Sequence, residues 1–297
     1  MANRIYKRRD FLGDLVKAGT VGLLVVPALP NLVPAKSLTV TEVIDLILKE
    51  VPGGRLSSTV DTIKSGRGDQ LVTGIVTTMF ATVKVIEEAV KLKANFIIAH
   101  EPTFYNHTDD INWVPNNRVV KQKQELLARH QIAVWRFHDH WHRMRPDGIL
   151  HGVLLKTGWI SHSPNDDVNF RIPTLSLGGV VGHLKKTLGI PHLRVVGDLS
   201  SPCSRVTLLP GAAGGQRQVG LAEISETDLL IVGECSEWET PEYIRDARSF
   251  GQSISLIVLG HTFSEEPGME WLVLWLQPKV PEMKITHVAS GEAFGWV

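Results

Sequence analysis

Two apolar runs in this chain end on an imidazole beside a carboxylate. Asn95-Phe96-Ile97-Ile98-Ala99 stops at His100-Glu101, and Ile254-Ser255-Leu256-Ile257-Val258-Leu259 stops at Gly260 before His261-Thr262-Phe263-Ser264-Glu265. Imidazole nitrogen with carboxylate oxygen is the donor set that borderline divalent ions prefer. No thiolate belongs to the pattern, so zinc, iron, manganese, cobalt and nickel all suit it. A metal centre is the leading reading.

A third segment, Phe137-His138-Asp139-His140-Trp141-His142, puts three imidazoles at the end of the strand-like run Ile132–Phe137. If the extended chain continues, His138, His140 and His142 share a face and Asp139 points away. His138, Asp139, His140 and His142 all remain open as the middle ligand. Glu234 and Glu237 follow the run Asp228–Val232 and are placed to orient a water or act as general base. The competing role for these two acids is a charge at a helix N-terminus or an ion pair. His107, His130, His151, His162, His183, His192 and His287 lack comparable context and read as surface or structural residues.

The elements that must position these residues alternate. Thr39-x-x-Glu42 is a capping box, and Val40, Val43, Ile44, Ile47 and Leu48 recur at helical spacing. Strands are predicted at Leu71–Thr77, Phe96–Ala99, Ile132–Phe137, Asp228–Val232, Ser253–Leu259 and near Met283–Val288. Helices are predicted at Thr82–Leu92, Arg118–His130, Gly148–Thr157, Gly178–Leu188, Thr240–Phe250 and Pro267–Leu276. Such alternation predicts an α/β protein. We expect two α/β lobes, the first from about 36–160 and 226–297, with a middle lobe of about 161–225 inserted between its halves. Ligands of open α/β sheets bind beyond the carboxyl ends of the strands. His100-Glu101, His138, Glu234 and His261 are therefore expected to converge in the cleft.

The chain's 297 residues suffice for a sizeable core, and 31 basic residues balance 31 acidic ones. That balance argues against a nucleic-acid face or an acidic tail. Gly211-Ala212-Ala213-Gly214-Gly215 lacks the Lys-Ser/Thr of a phosphate loop. Trp113, Trp135, Trp141, Trp159 and Trp238 read as packing residues, since no basic residues interleave them. Pro102-Thr103-Phe104-Tyr105 is expected to turn the chain and wall the site with aromatics. Cys203 and Cys235 read as two small buried residues rather than a bridge. Residues 1–35 read as a twin-arginine signal peptide. Arg8-Arg9-Asp10-Phe11-Leu12 precedes a short apolar stretch, Ala18–Val26, and Val33-Pro34-Ala35 offers a cleavage site. The mature protein is expected outside the cytoplasm, in the periplasm or the medium.

In the order and spacing of its motifs the chain resembles the Nif-three-like family of dinuclear metal-centre proteins. The segments that carry the resemblance are Thr39–Lys49, Thr73-Gly74-Ile75-Val76-Thr77, Ala94–Pro102, Ile132–Asp147, Gly233-Glu234-Cys235-Ser236-Glu237 and Gly260–Glu265. The resemblance implies two divalent ions and a ring-shaped homo-oligomer, six subunits in the family, some of whose members carry a type-2 GTP cyclohydrolase I name. It implies metal ligands at His100, Glu101, His138, His142, His261 and Glu265. Two positions depart from the family pattern. His100-Glu101-Pro102 stands where the family has His-His-Pro, and His142 stands where an Asp is usual. A His became Glu and an Asp became His, so the balance of imidazoles and carboxylates is kept. The implied activity is metal-dependent hydrolysis. The alternative is a metal-binding or assembly protein without catalysis.

Overall fold

The computed structural model describes residues 37–165, 167–224, 226–295 and 297. The signal-peptide reading falls on residues 1–35, outside those described. Strands form at Ile63–Ser65 (β1), Ile75–Thr78 (β2), Phe96–Ala99 (β3), Ala133–Arg136 (β4), Asn169–Ser176 (β5), Arg194–Val196 (β6), Pro202–Leu209 (β7), Leu229–Val232 (β8), Ser255–Val258 (β9) and Ile285–His287 (β10). β2, β3, β4, β8 and β9 are buried at every position. Strands covered on both faces read as continuous apolar runs, which is why these segments stood out in the sequence.

They form two sheets rather than one. The first has the order β1-β4-β3-β2-β10 and the second the order β5-β7-β8-β9-β6. Within the first, β10, β2, β3 and β4 are parallel and β1 is antiparallel. Within the second, β7, β8 and β9 are parallel, flanked by antiparallel β5 and β6.

The helices Val40–Leu48 (α1), Val83–Lys91 (α2), Arg118–Arg129 (α3), Asp139–Arg143 (α4), Gly148–Thr157 (α5), Leu177–Leu188 (α6), Gly215–Ile224 (α7), Thr240–Ser249 (α8) and His261–Leu276 (α9) cover the sheets. One core joins α1, Trp135, Phe137, Trp141 and the α9 residues Met269, Leu272 and Leu276. A second lies under α2 and α3 on the other face of the first sheet. The second sheet carries its own two cores, one built with α5 and α6 and the other with α7 and α8. The α1 capping box forms as the sequence predicts, with Glu42 N–H donating to Thr39 Oγ1 at 3.2 Å. No described helix is long and apolar enough to cross a membrane.

The two-lobe α/β expectation holds, but the boundary differs from the one expected. Residues 226–297 do not all return to the first lobe. β8 pairs with β7 (Val206 with Leu229), and β9 pairs with β8 (Leu229 with Ser255). The second sheet therefore extends to Val258, and only α9 and β10 rejoin the first. Strand–helix–strand units place each new parallel strand beside the last, which sequence periodicity alone does not reveal.

α9 also starts earlier than predicted, at His261 rather than Pro267. With α5 it forms the wall shared by the two sheets, and glycines allow the close crossing. A Cβ on Gly152 would lie 2.5 Å from Gly268 Cα.

Candidate metal centre

The carboxyl ends of both sheets supply the site. β3 runs straight into His100, whose ring is fully buried, and the His100 Nδ1–H donates to the Phe137 carbonyl at 3.1 Å. That bond fixes the tautomer and leaves the Nε2 lone pair free. Nε2 is buried without a hydrogen-bond partner. A buried, partnerless acceptor costs free energy unless something fills the place in front of it. Burial first, then the charges of His142 and His138, hold the His100 pKa well below the ordinary imidazole value.

β4 does not continue through the histidine-rich segment as an extended chain. It turns at His138 into the short helix α4. His138 and His142 are then four apart on one helical face, while His140 points elsewhere. His138 caps nothing with its own side chain, and the cap comes from Asp61. One Asp61 oxygen accepts from the N–H groups of His138 and Asp139 at 2.8 and 3.0 Å, and the other from His140 N–H at 2.9 Å and its Nδ1 at 2.6 Å. The Nε2 of His140 accepts from Leu56 N–H at 3.1 Å, which removes this residue from the site. Asp139 is likewise engaged, by Thr59 Oγ1, Val60 N–H and His138 Nδ1.

His138 and His142 repeat the arrangement of His100. The His138 Nδ1–H donates to Asp139 at 2.9 Å and the His142 Nδ1–H to Asp147 at 3.0 Å. Asp147 also caps α5, through Ile149 and Leu150 N–H. Ring centroids of the three histidines lie 4.7 to 5.1 Å apart. Three imidazoles with Nδ1 anchored to oxygen and one ligand atom each in a common group are a candidate set of metal ligands.

The end of β9 leads into the rest of the cluster. α9 places His261 and Glu265 on adjacent turns, with His261 Nε2 3.1 Å from Glu265 Oε2. His261 Nε2 also lies 3.6 Å from Glu101 Oε1, which is itself 3.4 Å from His138 Nε2. Glu265 Oε2 is 3.6 Å from His100 Nε2. Donors held about 2.1 Å from one tetrahedral ion stand roughly 3.4 Å apart, so these spacings fit metal occupancy. Burial opposes charge on His261, yet hydrogen bonds to Glu101, Glu234 and Glu265 outweigh it and push the pKa up to about 12.

Several residues that sequence reasoning did not single out shape this centre. Arg136, fully buried on β4, donates through Nη2 to Glu101 Oε2 at 3.1 Å, leaving Oε1 toward the histidines. Arg136 also contacts His100 O, His107 O and, at 3.6 Å, Asp109, which Lys64 approaches at 3.3 Å. A charged residue inside an apolar strand was the available signal. Burial opposes the Glu101 charge, while His261, His138 and Arg136 together hold its pKa below the ordinary value. Gly211 makes room for Glu265, since a Cβ there would lie 2.0 Å from Glu265 Oε1.

Of the sequence-predicted residues, the cluster unites His100, Glu101, His138, His142, His261 and Glu265. Glu234 lies at its edge, with Oε2 accepting from His261 Nδ1 at 3.0 Å. Glu237 does not join it. That side chain is exposed and pairs with Arg194 at 3.0 Å. His107, read as a surface or structural residue, is exposed and stands with its ring 5.8 Å from that of His138. Phe104 packs into a core, and Phe80 is the aromatic that meets His261, edge-on at 6.0 Å. Trp135, Trp141 and Trp159 are buried as expected, whereas Trp113 and Trp238 are exposed. Both cysteines are free.

Asp61 acts through the α4 backbone and the His140 ring, and touches none of the candidate ligands with its side chain except through the His138 N–H, which gives a direct check. Asp61→Asn keeps the shape but loses acceptors for the turn, and metal affinity is expected to fall by about 10- to 100-fold. Melting of the metal-free protein should drop only by the few degrees that a lost cap costs, roughly 1–2 kcal/mol. Equilibrium dialysis with zinc reads the first and calorimetry the second. Unchanged zinc affinity would remove Asp61 from the account.

Comparison with known proteins agrees with this architecture. A Staphylococcus aureus protein, SA1388, matches with a TM-score of 0.68 at 16% identity, over 88% of this chain and all of its own. A Bacillus cereus protein related to NIF3 matches with a TM-score of 0.68 at 15% identity, over 88% of this chain and 99% of that one. In sequence, the chain is 22% identical over 233 residues to a "GTP cyclohydrolase 1 type 2 homolog" of Clostridium perfringens, covering 74% of this chain and 85% of that protein. The family profile for Duf34/NIF3 (NGG1p interacting factor 3) matches residues 58–293, from just before Asp61 to beyond β10. The chain is a member of the Duf34/NIF3 family.

Proposed function

We propose that this chain binds two divalent metal ions and is a metal-dependent hydrolase. The observation that carries the reading is the set of three histidines, each with Nδ1 anchored to an oxygen, facing two carboxylates and His261. His100, His138, His142, Glu101, His261 and Glu265 would hold the ions. Bound divalent ions supply Lewis acidity, acidifying water and polarising an ester, amide or phosphoryl oxygen. The protein's own part is orientation. Asp147 and Asp139 aim two imidazoles, Arg136 aims Glu101, and Glu234 holds His261 from outside. Glu234 is the acid nearest to a proton-moving role, and Glu237 is withdrawn from it.

A second reading, a metal-binding or assembly protein without catalysis, is favoured by that same count of acids. Glu234 is committed to His261, and Glu237 to Arg194. Turnover assays of the zinc- or manganese-loaded protein across esters, phosphodiesters and cyclic amides separate the two. Hydrolysis that Glu265→Gln abolishes supports the enzyme, and no turnover of any class supports the binding protein.

The protein is exported by the twin-arginine route and assembles as a ring of six in this proposal. GTP is not carried over as its substrate, since an exported enzyme would meet little of it. The double change Arg8→Lys with Arg9→Lys is expected to retain an uncleaved precursor in the cytoplasm, read by fractionation and immunoblot. Continued export with trimming of the leader would contradict the route. A stable monomer by light scattering at micromolar concentration would contradict the ring.

A further inference from the structure

Two glutamates follow one another on α9, and both are buried. Successive helical residues point about 100° apart. Glu265 faces the cluster, whereas Glu266 faces the first sheet. Its Oε1 accepts from Met79 N–H at 3.1 Å, just past the end of β2, and His287 Nε2 of β10 stands 3.3 Å from the same oxygen. Its Oε2 accepts from Ser290 N–H at 3.1 Å and from the Ser290 hydroxyl at 2.8 Å. We propose that Glu266 is a positioning residue for the metal centre. It sets the distance between His100 with Glu101, at the end of β3, and His261 with Glu265, on α9. The inference rests on the reading that this cluster binds metal.

The route is short. Met79 N–H and the Thr78 carbonyl belong to one peptide unit, which is planar and stiff. That Thr78 carbonyl accepts from His100 N–H at 3.1 Å, and the Met79 carbonyl accepts from Glu101 N–H at 2.9 Å. The backbone of both ligands on β3 therefore hangs on the stretch that Glu266 grips. On α9, Glu266 stands next to Glu265 and five residues after His261. The spacings at stake are 3.6 Å between Glu265 Oε2 and His100 Nε2, and 3.6 Å between His261 Nε2 and Glu101 Oε1. Thr77 Oγ1 donates to the Met269 carbonyl at 2.9 Å, which holds α9 to β2 further along the helix, beyond the ligands.

The two oxygens of Glu266 separate positioning from plain anchoring. Oε2 ties down the segment after β10 through Ser290, and Oε1 reaches the ligand-bearing backbone through Met79. Loss of the Ser290 hydroxyl removes one bond from Oε2 and leaves the Met79 bond in place. Loss of the carboxylate removes both. Hydrogen bonds to an ionised carboxylate are roughly twice as strong as neutral ones. A glutamine carbonyl can still accept from Met79 N–H, without that charge.

The experiment titrates metal-free full-length protein with Co²⁺ and follows visible absorption, whose bands report the geometry around the bound ion. Glu266→Ala, Glu266→Gln and Ser290→Ala are measured beside it. Glu266→Ala is expected to weaken cobalt binding by about 10- to 100-fold and to alter the bands. Glu266→Gln should recover part of that affinity. Ser290→Ala should melt lower yet keep both the affinity and the bands. Unchanged affinity and bands in Glu266→Ala would overturn the inference and leave the metal reading standing. An equal loss in Ser290→Ala would also overturn it, by tracing the effect to the anchored segment. Failure of the unchanged protein to bind cobalt would overturn the metal reading and this inference with it. If Glu266→Ala does not fold, Glu266→Gln against Ser290→Ala decides, with weaker binding expected in the first alone.

Discussion

Gly211→Ala is expected to cost the protein the metal held by Glu265 while leaving the fold in place. The new methyl would sit 2.0 Å from Glu265 Oε1 and 2.6 Å from its Cδ. These atoms end a flexible side chain, so the clash is relieved by rotating the carboxylate away. The relief removes a ligand. Gly211 has a φ of +64°, so alanine also costs about 1 kcal/mol of backbone strain. Gly214→Ala separates the two effects, because Gly214 has a φ of +81° with nothing near its would-be Cβ. Both variants should melt a few degrees lower, and only Gly211→Ala should lose metal affinity, by at least about tenfold. Equal metal binding in the two would show that Gly211 is required for its backbone alone.

The second large effect concerns the two departures from the family pattern. Glu101 and His142 lie in one cluster, joined through His100, which belongs with each of them in a group of possible ligands. Glu101→His removes a carboxylate from the centre, and His142→Asp adds one. The double variant restores the count and should retain more metal than either single one, a non-additive rescue. Arg136 adds a cost that the sequence did not show. Glu101→His takes away the nearer of the two carboxylates beside a fully buried guanidinium, leaving Asp109 at 3.6 Å, and the loss costs about 1–3 kcal/mol. Stability of the double variant should therefore remain low even where its metal content recovers. Elemental analysis of the four proteins, with melting curves beside it, reads both quantities. Losses of metal that simply add would place Glu101 and His142 in independent sites.

The sequence made the strand ends legible because β3, β8 and β9 are buried on both faces, so each apolar run stops where the chain leaves the sheet. His100-Glu101, Glu234 and His261 sit at those stops. The histidine-rich segment was legible as a site but not in its geometry. Strand periodicity would align His138, His140 and His142, whereas Asp61, 77 residues before His138, folds the segment into helix and turns His140 away. A cap supplied from so far off leaves no local signature. The lobe boundary failed for a related reason. Four-residue buried strands carry no mark of which sheet they join, and β8 and β9 joined the second. Asp147, by contrast, was within reach. It is an N-cap before Gly148, and the same carboxylate that caps α5 also aims His142.

Zinc stoichiometry tests the central claim most directly. Metal-free full-length protein, dialysed against zinc and then freed of unbound ion, is analysed for metal per chain with circular dichroism to confirm the fold. Two zinc ions per folded chain is the predicted result, falling toward one when His142 or Glu265 is replaced. Folded protein that retains no zinc would contradict the account, because His100 Nε2 and the carboxylates around it would then converge on nothing.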